Sequence, residues 1–302
     1  MQKRLLSFTV LFAILARPAA GLASDVAVEP GDYDKSRAAD PNRSPFEIDL
    51  ALDLSLTIGT ITLFVLPRLL VDEFIEPACG LACNPDDVNF IDRKVIGKHS
   101  GICNLISDIG VGTSLALPFI LGAIDTLVSD PVDGWTGYGK DSLVLAETLS
   151  FTFSATNIIK FIVQRPRPLV YDSGIDDAKR LSGNSALSFP SGHTASTFAM
   201  ATAYSNIFMK RHPDSPLVVP VWIGTYSLAA AIGVMRTEAG EHFYTDIFAG
   251  AVLGVGLGLL IPYLHERQTR AVADPVAAAI GIRFTPLVTP GGGGLAVTLT
   301  HY

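Results

Sequence analysis

Apolar and polar positions fall in blocks along this chain. Six apolar runs of helix length stand out, at 50–70, 105–128, 142–163, 194–209, 217–234 and 246–264. A membrane span needs about 20 residues, with ~17 at the short end. The fifth and sixth runs fit best: "DIFAGAVLGVGLGLLIPYL" carries one charge, at its first position. The fourth is short, and Asp53, Asp108, Asp125 and Glu147 interrupt the first three. Carboxylates facing lipid are costly, so each is expected to face another helix or the membrane rim. The pattern predicts an all-α fold, a transmembrane six-helix bundle.

The flanks differ in character. Lys3 and Arg4 precede the apolar "LLSFTVLFAILA", and "GLAS" offers small residues for cleavage after Ala23. Residues 1–23 therefore read as a signal peptide or N-terminal anchor. Residues 24–46 form a polar, proline-containing leader. The helical domain covers 47–268. In the tail, 269–302, "AAIGIRFTPLV" and "LAVTLTHY" flank "TPGGGG", a β-hairpin signal.

Composition supports the membrane reading. Charged residues are 17% of the chain, against about 25% in soluble domains. The formal net charge of −7 argues against a nucleic-acid partner, which needs a basic face. An exported chain with Cys79, Cys83 and Cys103 has room for one disulfide and one spare thiol. A zinc site is not expected there, because no second ligand pair stands at finger-like spacing. The basic loops "KRHPDSP" and "HERQTR" fall on one side of the bundle, which the positive-inside tendency makes cytoplasmic. The loops around 164–193 and 236–245 then face outward. An exported leader followed by six full spans would put them inside, so these premises are not all compatible.

The candidate chemistry gathers on those loops. In "KFIVQRPRP", Lys160 and Arg167 are seven apart, close to two turns of a helix. Pro166 and Pro168 disturb the helix end, so Arg165 and Arg167 are expected to swing out at the rim. In "FPSGH", Ser191 suits an N-cap, Gly192 lets a ligand approach the backbone, and His193 stands in the first turn. Free N–H groups at a helix start attract anions. In "MRTEAGEHFYTDIFAG", His242 and Asp246 are spaced i, i+4, which meets on one face of a helix. A carboxylate on one imidazole nitrogen leaves the other free to attack. Each cluster alone also fits a capped or charged helix end. Together, at one end of alternating helices, Lys160, Arg167 and Arg236 fit a phosphate dianion of about −2. Two histidines suit a displacement in which one attacks and one protonates the leaving oxygen.

These three motifs, Lys160-x6-Arg167-Pro168, Pro190-Ser191-Gly192-His193 and Arg236-x5-His242-x3-Asp246, resemble the tripartite signature of the type 2 phosphatidic acid phosphatase and vanadium haloperoxidase-like superfamily. The resemblance implies a helical bundle with its site at one end. It makes His242 the nucleophile that forms a phosphohistidine, Asp246 its orienting partner and His193 the general acid. Lys160, Arg167, Ser191, Gly192 and Arg236 would hold the phosphoryl oxygens. No metal or other cofactor is implied, and vanadate would bind as a phosphate mimic. Met235 stands where the family usually has serine.

The expected activity is hydrolysis of a phosphate monoester or diphosphate, of a lipid such as phosphatidic acid or an isoprenyl diphosphate. The expected location is a bacterial membrane, with the site facing the periplasm. A soluble periplasmic acid phosphatase on the same plan would resolve the topology conflict. A vanadium haloperoxidase would use the same pocket.

Overall fold

The computed structural model describes residues 43–76, 79, 81–266, 280–289 and 292–301; the backbone alone is described at 73–74 and in the last two segments. The signal or anchor at 1–23, most of the leader and residues 267–279 lie outside the described residues. Every apolar run is a helix: α1 Leu50–Leu69, α3 Gly101–Ser129, α4 Gly134–Val163, α6 Gly192–Arg211, α7 Val218–Glu238 and α8 Tyr244–His265. Two single turns, α2 Val71–Phe74 and α5 Asp177–Arg180, lie in loops. Both α3 and α4 begin earlier than their apolar runs. Their first turns, such as "GWTGYGKD", are too polar to show the apolar period, yet the backbone continues through them. In the tail, β1 Ile280–Thr289 and β2 Gly292–His301 pair antiparallel, with Thr289 opposite Gly292.

Local chemistry sets the ends. Asp49, Ser100 and Ser191 cap α1, α3 and α6 through the amides of Leu52, Cys103 and Thr194. Gln164 ends α4 in the left-handed region, at φ 46°, directly before Arg165-Pro166. Thr60 bonds Ser150 at 2.8 Å and Asn157 donates to the Phe64 carbonyl at 3.1 Å, so α1 and α4 run in the same direction. The six long helices alternate. One end of the bundle holds the end of α4 and the starts of α3, α6 and α8. The opposite end holds the start of α1 and the end of α8, where Phe46 bridges Glu266.

The bundle is inside out relative to a soluble one. Helix α1 buries Asp53 and Thr57 and exposes Leu50, Leu52, Ile58 and Leu66. Helix α4 buries Asp141, Glu147, Thr148, Thr152, Asn157 and Lys160. Polar groups turned inward and apolar ones outward suit a lipid surround. Among the described residues, five helices are long and apolar enough to cross a membrane. The exception among the long helices is α6, which lies inside the bundle with most of its residues buried. The interrupting carboxylates do face other helices. Asp53 and Glu147 meet His265, Asp125 meets His212, and Asp108 meets His193.

Helix α8 packs on α6 through glycines spaced four apart. A side-chain carbon on Gly250 would lie 2.6 Å from the Ser191 carbonyl, and one on Gly258 would lie 2.6 Å from that of Ala199. Gly254 abuts the Ala195 carbonyl more closely still. Such small-residue seams let two backbones approach. Gly254→Ala is expected to destabilise the bundle by about 1–3 kcal/mol, the usual cost of overpacking. Gly256, with open space around it, is the control. Melting curves in detergent should show a loss for the first alanine and none for the second.

Loop charge does not separate the two ends. Arg93, Lys94, Lys98, Lys179 and Arg180 lie at the end that gathers the candidate chemistry. Several are neutralised in ion pairs, Arg93 with Asp86, Lys98 with Glu238 and Arg180 with Asp177. The orientation drawn from "KRHPDSP" and "HERQTR" therefore loses its contrast. Cys79 and Cys83 form a disulfide in the loop between α1 and α3, at that same end, and Cys103 is free.

Candidate active site

The end of α4, the loop 164–191 and the turn 239–243 build the site. Lys160, almost wholly buried, donates to the carbonyls of Leu187 at 2.5 Å and Ser188 at 3.3 Å. A side-chain carbon on Gly192 would lie 3.9 Å from Lys160 Cε, so this ammonium reaches the start of α6. The Ser191 amide donates to the Asp246 carbonyl at 3.0 Å, which locks the starts of α6 and α8 together.

The two arginines of the proline-rich segment turn inward, not out at the rim. Both are drawn by buried carboxylates. Arg165 donates to Asp246 at 2.6 Å, to Asp92 at 2.8 Å and to Thr245 at 2.7 Å, and lies 4.3 Å from the centre of the Phe243 ring. Arg167 donates to Glu241 Oε2 at 2.5 Å and to the Asn184 carbonyl at 3.0 Å. Arg236, at the end of α7, donates to Asn104 at 2.7 Å and Asp108 at 3.2 Å. Its Nη2 lies 3.5 Å from the same Glu241 Oε2, and its buried Nε has no hydrogen-bond partner. Lys179 reaches the other Glu241 oxygen at 3.3 Å. Burial pushes the Glu241 carboxyl up, but Arg167, Arg236 and Lys179 outweigh it and hold it below the ordinary range. An internal carboxylate thus sits where these cations converge.

His242 and Asp246 are close, but not across one helical face. Helix α8 begins only at Tyr244, so His242 lies in the preceding turn. Gly240 makes that turn, at φ +70°, against the Lys98 carbonyl. Asp246 caps its own helix through the Phe243 amide at 2.9 Å and accepts from Ser188 Oγ at 2.5 Å. His242 Nδ1 lies 3.8 Å from Asp246 Oδ2, beyond hydrogen-bond reach, and is buried without a partner. Burial holds His242 well below the ordinary imidazole value, and Arg167, Lys160, Arg236 and His193 add to it. The ring is therefore neutral near pH 7 and keeps a lone pair. His193, in the first turn of α6, places Nε2 2.8 Å from Asp108 Oδ1.

The eight residues singled out by the motifs thus gather at one end of the bundle. Asp92, Ser188 and Glu241 were not legible as site residues. Asp108 gave a signal, as a carboxylate inside an apolar run.

The sequence profile of the PAP2 superfamily matches residues 142–270, which hold all three motifs. Over that segment the chain is similar to the PAP2 superfamily. Among curated PAP2 relatives, a lipid A 1-phosphatase of Rhizobium johnstonii is 29% identical over 122 residues, 40% of this chain and 46% of that protein. Phosphatidylglycerophosphatase B of Bacillus subtilis is 29% identical over 114 residues, 37% of this chain and 52% of that protein. The chain spans about half the length, or less, of the curated relatives it matches. A crystal structure of a transmembrane PAP2 type phosphatidylglycerolphosphate phosphatase from Bacillus subtilis aligns with 70% of this chain and 94% of its own, at 20% identity and a TM-score of 0.41. Against the usual PAP2 serine, Met235 brings no hydroxyl to the last turn of α7.

Proposed function

We propose that this chain is a membrane phosphatase that hydrolyses a lipid phosphate monoester or diphosphate through a phosphohistidine, without a metal. The observation that carries this reading is a neutral, buried His242 next to Asp246, ringed by Lys160, Arg167 and Arg236, at the end of a bundle with an apolar exterior. Arg167, Arg236 and Lys160 take the phosphoryl oxygens, with the amides at Ser191 and Gly192, and the substrate competes with Glu241 for the two arginines. His242 Nε2 attacks phosphorus as the bond to the leaving oxygen breaks; burial and Arg236 hold His193 at about 4, so the bound phosphate dianion must raise it before it gives that oxygen its proton. His193 then takes a proton from water, whose oxygen displaces Nε2 and frees phosphate. Asp246 accepts a hydrogen bond from the Nδ1–H of His242 once the 3.8 Å gap closes, a tightening common on substrate binding, and so steadies the charge that the ring gains on attack.

The apolar outer faces favour a lipid substrate over the soluble acid phosphatase alternative. The relatives' names suggest the panel: phosphatidic acid, phosphatidylglycerophosphate, an isoprenyl diphosphate and lipid A. Detergent-solubilised protein should release phosphate from at least one with chelator present, and vanadate should inhibit. Release from none, or only from water-soluble esters, would sink this reading. Halide oxidation by the vanadate-loaded protein would favour the haloperoxidase.

We further propose that the site faces the oxidising side of the membrane, on the strength of the Cys79–Cys83 disulfide at that end. This orientation keeps Leu50, where α1 begins, on the inner side, against export of the leader. Asp87 and Asp214 are exposed at opposite ends. With Cys103→Ser as background, an impermeant maleimide should label Asp87→Cys in intact cells and Asp214→Cys only after permeabilisation. The reverse pattern would place the site inside.

A further inference from the structure

At the end of the bundle away from the phosphate site, three helices bring together Asp53 from α1, Glu147 from α4 and His265 from α8. One donor atom from each lies within 4.8 Å of the others. His265 Nε2 is 2.9 Å from Glu147 Oε2 and 3.5 Å from Asp53 Oδ1. Donors around one tetrahedral ion with bonds of about 2.1 Å lie ~3.4 Å apart, so this is the spacing of neighbouring ligands. The site is nineteen residues along α8 from Asp246, about 28 Å, and has no part in the chemistry there.

Two further features point to a cation. His265 Nδ1 sits 2.8 Å from the Ile261 carbonyl, which can only accept, so Nδ1 carries the proton. That is how metal-bound imidazoles are usually held, with the other nitrogen free to ligate. Glu147 and Asp53 are both more than nine-tenths buried, and Glu147 Oε2 and Asp53 Oδ2 make no hydrogen bond. Glu147 Oε2, the oxygen nearest Nε2, points into the cluster but is out of hydrogen-bond alignment. One turn along α1, the buried Thr57 hydroxyl also lacks a partner. A neutral ring would aim its lone pair at two carboxylates, which repel it. A protonated ring would still leave one net negative charge in an apolar bundle, whereas a divalent ion would leave none.

We propose that Asp53, Glu147 and His265 bind a divalent first-row cation, with Zn2+ or Mn2+ best suited to two carboxylates and an imidazole. The ion ties α1, α4 and α8 together and is structural. It does not depend on the phosphatase reading, and it departs from the metal-free expectation drawn from the sequence. The test uses the full chain in detergent, freed of any affinity tag, stripped with chelator, exposed to Zn2+ or Mn2+ and desalted. One equivalent should stay bound, and the melting temperature should rise with metal. Glu147→Gln and His265→Gln should each lose the equivalent and the shift. Should a variant fail to fold, the Co2+-loaded wild type decides. Weak visible bands of nitrogen and oxygen coordination support the site. Thiolate charge-transfer bands, pointing to Cys103, overturn it. No metal on the wild type, or metal retained by folded variants, also overturns it and leaves an imidazolium held by two carboxylates.

Discussion

His242→Ala is expected to lower phosphate release at least about 10⁴-fold while the bundle stays folded, since removing a nucleophile alone can cost as much as removing its whole catalytic unit. The side chain is buried, but its Nδ1 has no hydrogen-bond partner, so the substitution removes chemistry and leaves a small cavity. The pH dependence has a definite sign. His242 is held below its ordinary value, so its neutral, attacking form persists at pH values where a free imidazole is protonated. The acid limb of kcat/KM, which reports the free enzyme, should fall below about 6.5. Stability follows the same linkage. An unfolded chain takes up the proton as pH drops below about 6.5, while the buried ring resists it, so acidification costs the wild type stability that the alanine variant does not lose. Comparing kcat/KM and melting curves across pH 5–8 checks both. An acid limb above 6.5 attributable to His242 would contradict the placement.

Asp246→Ala is expected to fail in both stability and activity. The carboxylate accepts from Arg165, Ser188 and the Phe243 amide, and the first of these also holds Asp92. Deleting one partner of a buried ion pair costs about 3–5 kcal/mol, because the other charge is left behind. Asp246→Asn keeps the shape and some of the hydrogen bonds, so it should fold better. It cannot balance the charge that His242 gains on attack, and kcat/KM should drop by roughly 10²–10⁴, the scale of general acid–base contributions. Thermal melting with steady-state kinetics separates the two effects. An alanine variant as stable as wild type would show that Asp246 does not pin Arg165 and the start of α8.

The same residues show what could be read from the chain alone. Five of the six long helices were legible because lipid demands long apolar faces, and α1 buries little besides Asp53 and Thr57; the sixth, α6, gave a shorter run because it is buried inside the bundle. Helix starts were less so, since the polar first turns of α3 and α4 carry no apolar period. The pairing of His242 with Asp246 was read as a helical face. It arises from a glycine turn and an N-cap, with the same four-residue spacing and a different cause. Arg165 was misplaced because its fate is set by Asp92, 73 positions away in sequence. Glu241 gave no signal, since only folding brings Arg167 and Arg236 onto one carboxylate.

The central claim is that His242 carries the phosphoryl group. Rapid quenching after mixing with a ³²P-labelled substrate tests it most directly. The wild type should yield an acid-labile, base-stable phosphohistidine that maps to His242 and is missing in His242→Ala. No labelled histidine in an actively turning-over wild type, or label that survives in His242→Ala, would contradict the account.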